Sequence, residues 1–126
     1  MIPVLDAGAF VAVERADRDT VALLKRERLA GRAPVTHGGV VGQVWRGGTG
    51  RQANLAWLLA GVEVIGLDDV LGRRAGVLLA RAGGSDVIAA AVVLLASDGD
   101  EILTSAPHDL HALTAAAGAH VELIAV

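Results

Sequence analysis

Two aspartates far apart in the chain hold the positions best suited to chemistry. Asp6 ends the apolar run Ile2-Pro-Val-Leu5 and opens the apolar, helix-like stretch Ala7 to Val13. Asp86 follows Gly83-Gly-Ser85 and opens a second apolar stretch, Val87 to Ala96. A carboxylate in such a place has two uses. It can cap the helix by accepting from an orphan backbone N–H, or it can offer hard oxygens to a divalent cation. Other polar groups stand at comparable junctions. Gln43 interrupts an otherwise apolar helix, where it faces either a site or solvent. Thr104 and Ser105 precede Pro107 and could hold a carboxylate or phosphate, or cap the helix that follows. Asp109 lies in the first turn of that helix, where a negative charge is favourable by about 0.3–1 kcal/mol. His108 and His111 flank it, as a metal cluster or as solvated surface. Arg46 and Arg51 border the loop Gly47-Gly-Thr-Gly50, as phosphate contacts or plain solvated residues. Asp68-Asp69 reads as a helix cap.

Short strands must deliver these residues to one place. Apolar runs bounded by polar or glycine breaks predict strands at Ile2–Leu5, Ala33–Thr36, Val62–Leu67, Glu101–Thr104 and His120–Val126. Helices are expected between them: one after Asp6, one capped by Asp19 or Thr20, one opened by His37-Gly-Gly39, one from Gln52 to Leu59, one over Val70–Ala82, one over Val87–Ala96, and one begun by Pro107. Strands alternating with helices define an α/β domain, a three-layer α/β/α arrangement on a mainly parallel five-stranded sheet. Right-handed crossovers place the carboxyl ends of all strands along one edge, and ligands bind there in open α/β sheets. Asp6, Thr36, Asp68 and Thr104 fall on it.

Composition narrows the classes. The chain has 126 residues, enough for one domain (1–126) with a substantial core. It has no cysteine, which excludes disulfides, thiolate catalysis and cysteine-type zinc sites. The net charge of −3 gives no global basic field for nucleic acid, leaving only local arginine patches. No apolar run reaches transmembrane length, and the start lacks the pattern of a secretory signal, so no membrane association is expected and a cytoplasmic location is. The glycine-rich loop at Gly47 fits neither a dinucleotide nor a nucleoside triphosphate fingerprint. A phosphoryl-receiver domain wants a late lysine, and Lys25 is the only lysine.

Four segments in order, Val4-Leu-Asp-Ala-Gly-Ala-Phe10, Val41-Gly-Gln-Val-Trp-Arg46, Ser85-Asp-Val-Ile-Ala-Ala-Ala91 and Leu103-Thr-Ser-Ala-Pro-His-Asp-Leu110, resemble the signatures of PIN domains. The resemblance covers nearly the whole chain and is closest to the VapC-type ribonuclease toxins of toxin–antitoxin systems. It implies a PIN-like fold and an endoribonuclease that uses Mg²⁺ or Mn²⁺ held by three or four acidic side chains. Hard oxygen ligands suit that chemistry, because such a cation activates water and neutralises charge on phosphoryl oxygens.

Residue by residue, the resemblance assigns Asp6 and Asp86 as metal-binding acids. Gln43 takes the place of the family's second acid, with a neutral oxygen. Ala106 takes the place of the fourth, and Asp109, further along the same motif, is the substitute. Arg46, Arg51 and Ser105 are the expected RNA contacts. The implied partners are an RNA substrate, a small cognate antitoxin that inserts a cation into the acidic groove, and a second copy of the chain. For that homodimer, uncovered helical surface is expected around Trp45, Leu55 and Leu58. Against the enzyme stands a second reading: a catalytically degenerate PIN-fold protein that acts by binding an antitoxin-like partner or RNA.

Overall fold

A computed structural model describes the whole chain, Met1–Val126. Five strands, β1 (Pro3–Leu5), β2 (Val35–His37), β3 (Glu63–Ile65), β4 (Glu101–Thr104) and β5 (Glu122–Ala125), form one sheet in the order β3-β2-β1-β4-β5. Every pairing is parallel. The helices are α1 (Ala7–Glu14), α2 (Arg18–Leu29), α3 (Gly38–Val44), α4 (Ala53–Leu59), α5 (Asp69–Ala82), α6 (Val87–Leu95) and α7 (Pro107–Ala117). The expected three-layer α/β/α architecture is the one observed.

β1 is central and buried on both faces, which is why Pro3-Val-Leu5 has no polar alternation. Pro3 is tolerated because it starts the strand. In register with β1 lie Val35 on one side and Glu101, Ile102 and Leu103 on the other. Helices α1 to α4 pack together on one face of the sheet, and α5, α6 and α7 pack together on the other. α6 lies against β1 and β2 beneath α5, so Ala90, Ala91, Val92 and Val93 are all buried, the pattern of a helix covered on every side. α5 meets α6 at 105° and is the outermost helix of that face. The core centres on Phe10, Leu5, Leu55, Ile102 and Leu103, all fully buried. No single helix is long and apolar enough to cross a membrane.

Local structure departs from expectation at several boundaries. Asp17, not Asp19 or Thr20, caps α2: its carboxylate accepts from both the backbone N–H and the hydroxyl of Thr20. β2 runs through His37, which pairs with Ile65 of β3, and Thr36 turns inward and donates its hydroxyl to the Leu5 carbonyl at 2.8 Å. A 3-10 turn, Gly50–Gln52, precedes α4, and Gln52 is buried. Its amide donates to the Val44 carbonyl and accepts from the backbone N–H groups of Arg46 and Gly48. The glycine loop is therefore organised around one side chain.

The uncovered surface expected at Leu55 and Leu58 is absent, since α1 covers α4 and both leucines are buried. The tryptophans, not the leucines, stay exposed: Trp45 folds over Gly48, and Trp57 is 56% exposed beneath the guanidinium of Arg28 at 5.2 Å.

Candidate active site at the carboxyl edge of the sheet

The strand order reverses about β1. Its crossover to β2 runs over one face through α1 and α2, while β4 continues over the other face through α7. The crevice at the carboxyl ends of β1 and β4 is thus a topological switch point, the preferred ligand position in open α/β sheets. Asp6 occupies it. Its backbone N–H donates to the Leu103 carbonyl of β4. Its Oδ1 accepts from the Ala7 N–H at 2.8 Å, and its Oδ2 from the Thr104 hydroxyl at 2.9 Å. The Thr104 oxygen in turn accepts from the Ala106 N–H at 3.1 Å, which commits the hydroxyl proton to Asp6. Each carboxylate oxygen of Asp6 thus accepts one bond and retains lone pairs for another partner.

The crevice is tight beneath Asp6. A Cβ on Gly8 would stand 2.6 Å from the backbone and side chain of Ser105, so only glycine lets the first turn of α1 close on the β4–α7 turn. Beside it an open groove of about 490 Å³ is lined by Ala7, Gly8, Val11, Ser105 and Val126, with Arg15 at its wall.

Asp86 reaches the same edge by another route. The fully buried His37 ends β2, and its ring bridges two elements. Nδ1 accepts from the Gly39 N–H, so the ring proton lies on Nε2, which donates to the Ile88 carbonyl at 3.0 Å. That bond fastens the start of α6 to the carboxyl end of β2. Gly39 permits the approach, since a Cβ there would meet Ile88 at 2.5 Å. Asp86 caps α6 through Oδ1, which accepts from the Ala89 N–H at 3.0 Å, while Oδ2 is exposed and accepts no bond within the chain. Both uses foreseen for these aspartates are thus open at once: each caps a helix and keeps oxygen valence free.

The remaining expected residues are less engaged. Gln43 is exposed near the end of α3 and forms no side-chain hydrogen bond. Asp109 is exposed in the first turn of α7, with no bond linking it to Asp6, Asp86 or Thr104. Ala106 stands at the N-cap of α7 with no side chain to close it. Ser105 lies at the crevice with an exposed side chain. Arg46 folds back so that its guanidinium donates to the Gly42 and Trp45 carbonyls, finishing α3, and Arg51 is exposed and unpaired. His108 and His111 touch each other edge to face at 6.2 Å, and no three acidic or imidazole side chains come together as a metal cluster. Asp68 caps α5, and Asp69 pairs with Arg73.

The donors present fit a hard cation in a limited way. Asp6, Asp68 and Asp86 each cap a helix at this edge and keep oxygen valence free; Mg²⁺ takes one or two carboxylates, with waters and phosphate oxygens completing its octahedron. The residue that the sequence signalled least clearly is Thr104, whose hydroxyl fixes one oxygen of Asp6. Its signal is the polar residue at the end of an otherwise apolar strand. No protein-family model matches this chain, and no curated protein matches it.

Proposed function

We propose that this chain is a PIN-fold, metal-dependent endoribonuclease of the VapC type, the toxin of a toxin–antitoxin pair acting in the cytoplasm, with activity weakened by its reduced acid set. The observation that carries the reading is Asp6 at the switch point, held by Thr104, on the same sheet edge as the spare oxygen of Asp86. Asp6 and Asp86 would hold Mg²⁺ or Mn²⁺, which when bound supplies water activation and charge neutralisation at the phosphate. The chain's own work is positional. Thr104 fixes the Asp6 carboxylate, the His37–Ile88 bond fixes the α6 cap, and Arg15 and Ser105 border the groove along which an RNA strand would lie.

The antitoxin would set a cation against Asp6 and Asp86, and the apolar groove lined by Val13, Leu24, Trp57 and Leu58 and rimmed by Lys25 and Arg28 would take a further, acidic amphipathic segment of it. The exposed Trp45 supports self-association in place of the buried Leu55 and Leu58.

A second reading has its own support. Gln43, Ala106 and the lack of any three-residue acidic cluster favour a degenerate domain that binds partner or RNA without cutting. Cleavage of single-stranded RNA under a Mg²⁺ and Mn²⁺ titration separates the two. The enzyme reading expects cleavage only at raised metal, abolished by Asp6→Asn, which still caps α1. Cleavage surviving Asp6→Asn sinks the assignment of the site. No cleavage at any metal concentration, restored by Gln43→Glu with Ala106→Asp, establishes the degenerate reading.

A further inference from the structure

Beyond Arg51 every cation of the chain lies on one helix. Arg73, Arg74 and Arg81 belong to α5, and residues 83–126 contain no lysine or arginine at all. On the α5–α6–α7 face of a protein with net charge −3, positive charge is therefore confined to a single outward stripe. The helical repeat explains the alignment. Leu71, Ala75, Leu78 and Leu79 are buried against α6 and α7, and the opposite side carries Val70, Arg73, Arg74, Val77 and Arg81. Arg73 is partly neutralised by Asp69 at 2.9 Å. Arg74 and Arg81 pair with no carboxylate. They are seven residues apart, about 10.5 Å along the axis at 1.5 Å per residue, a span of roughly three phosphates of a stacked strand at 3.4 Å each. Between them is a shallow groove of about 380 Å³, floored by Val77, Leu94 and Ala117.

We propose that this groove is an RNA-backbone subsite: Arg74 and Arg81 clamp the phosphates of the same strand whose scissile bond lies at the carboxyl edge. This deepens the ribonuclease reading and rests on it. The groove floor lies at the far ends of α6 and α7: Leu94 is eight residues, about 12 Å along α6, from Asp86. Arg81, five residues before Asp86, has its Cα within about 18 Å of it, so one strand would run along α6 to reach both. The chemistry selects the sugar–phosphate backbone over the bases. Guanidinium groups match phosphate oxygens with forked hydrogen bonds, and the floor contains no aromatic ring on which a base could stack. The contact is accordingly independent of sequence.

The test is binding of a fluorescently labelled, mixed-sequence single-stranded RNA by the full chain, without divalent cations, as a function of salt. For single strands the logarithmic salt slope is about −0.7 per phosphate neutralised, so R74A/R81A should flatten it by about 1.4 and weaken binding about tenfold or more at low salt. R74K/R81K should keep most of the slope, and circular dichroism should show both variants folded. An unchanged slope in R74A/R81A, with the native chain binding RNA, overturns the subsite and leaves the ribonuclease reading standing. RNA binding that ignores these arginines, with an acidic peptide binding through them, reassigns the groove to a protein partner and overturns the proposal. No RNA binding by the native chain at low salt overturns the subsite, while the ribonuclease reading is decided separately by the cleavage titration with Mg²⁺ and Mn²⁺.

Discussion

The Thr104 hydroxyl donates to Asp6 Oδ2 at 2.9 Å across the crevice between β4 and β1, joining residues at the carboxyl ends of neighbouring strands. Thr104 is fully buried, and the same oxygen accepts from the Ala106 N–H. Two functions meet in one side chain: it fixes the orientation of the first candidate ligand and satisfies the backbone at the entry to α7. Thr104→Val keeps the shape and removes both bonds. Stability should fall by about 1–3 kcal/mol, the cost of leaving a buried polar group unpaired, and on the ribonuclease reading cleavage should need more Mg²⁺. Chemical denaturation and a Mg²⁺ titration read the two effects separately. A variant as stable as the native chain would show that the bond contributes nothing.

Ala106 is the N-cap of α7 and offers no oxygen to the orphan N–H groups of its first turn. Ala106→Asp should stabilise the fold by about 1 kcal/mol, as the better cap. It also adds a carboxylate beside Thr104, so divalent-ion affinity measured by calorimetry should rise. A gain in stability with no gain in affinity would mean that the new side chain serves the helix alone.

Gln52 is buried and bonds to Val44, Arg46 and Gly48. Gln52→Leu strips those backbone groups of their partner and should cost about 2–3 kcal/mol. Hydrogen exchange should quicken at Arg46 and Gly48 while the β1 amides change only with global stability.

Ala16 joins α1 to α2 at φ 58, the left-handed region. That conformation costs an L-residue about 1–2 kcal/mol, part of which glycine gives back through its freer unfolded chain. Ala16→Gly should therefore stabilise by about 0.5–1 kcal/mol in thermal or urea denaturation. Destabilisation instead would mean that packing of the Ala16 methyl, at the margin of the Trp57 groove, outweighs the backbone term.

At the opposite edge of the sheet, Glu101 is in register with Glu122, and one of its oxygens is buried without a partner. Burial raises its pKa above the ordinary 4.5, and the carboxylates of Glu27 and Glu122 push the same way, while Arg26 and Arg32 oppose them. Between 4.5 and the raised folded value the native state binds more protons than the unfolded chain. Stability from this group is therefore greatest at low pH and is lost as pH rises through the folded pKa. Glu101→Gln should raise Tm at neutral pH and give no advantage well below pH 4.5. A Tm difference independent of pH would show that the effect is packing and not charge.

Much of the fold was legible because its signals are local. The apolar run Pro3-Val-Leu5, the alternation of strand and helix, Pro107 at a helix start and the aspartates before helices each fix a conformation from nearby residues alone. Boundaries slipped where a specific polar partner decided them. The His37 ring is held by the Ile88 carbonyl, far along the chain, and Gln52 is drawn inward by the backbone of Arg46 and Gly48, a loop closure that apolar periodicity does not signal.

The same division holds for the site. The sequence by itself determined which acids exist, that Asp6, Asp68 and Asp86 stand before helices, and that Gln43 and Ala106 carry no charge. Only the tertiary structure decided which groups share an edge: it joined Thr104 to Asp6, buried Leu55 and Leu58 under α1, exposed Trp57, and left Gln43 and Asp109 without side-chain bonds to the site. The reason is physical. Capping and periodicity depend on backbone geometry within one or two turns. Convergence at a switch point depends on strand order and on the packing of helices far apart in the chain, which no local pattern encodes.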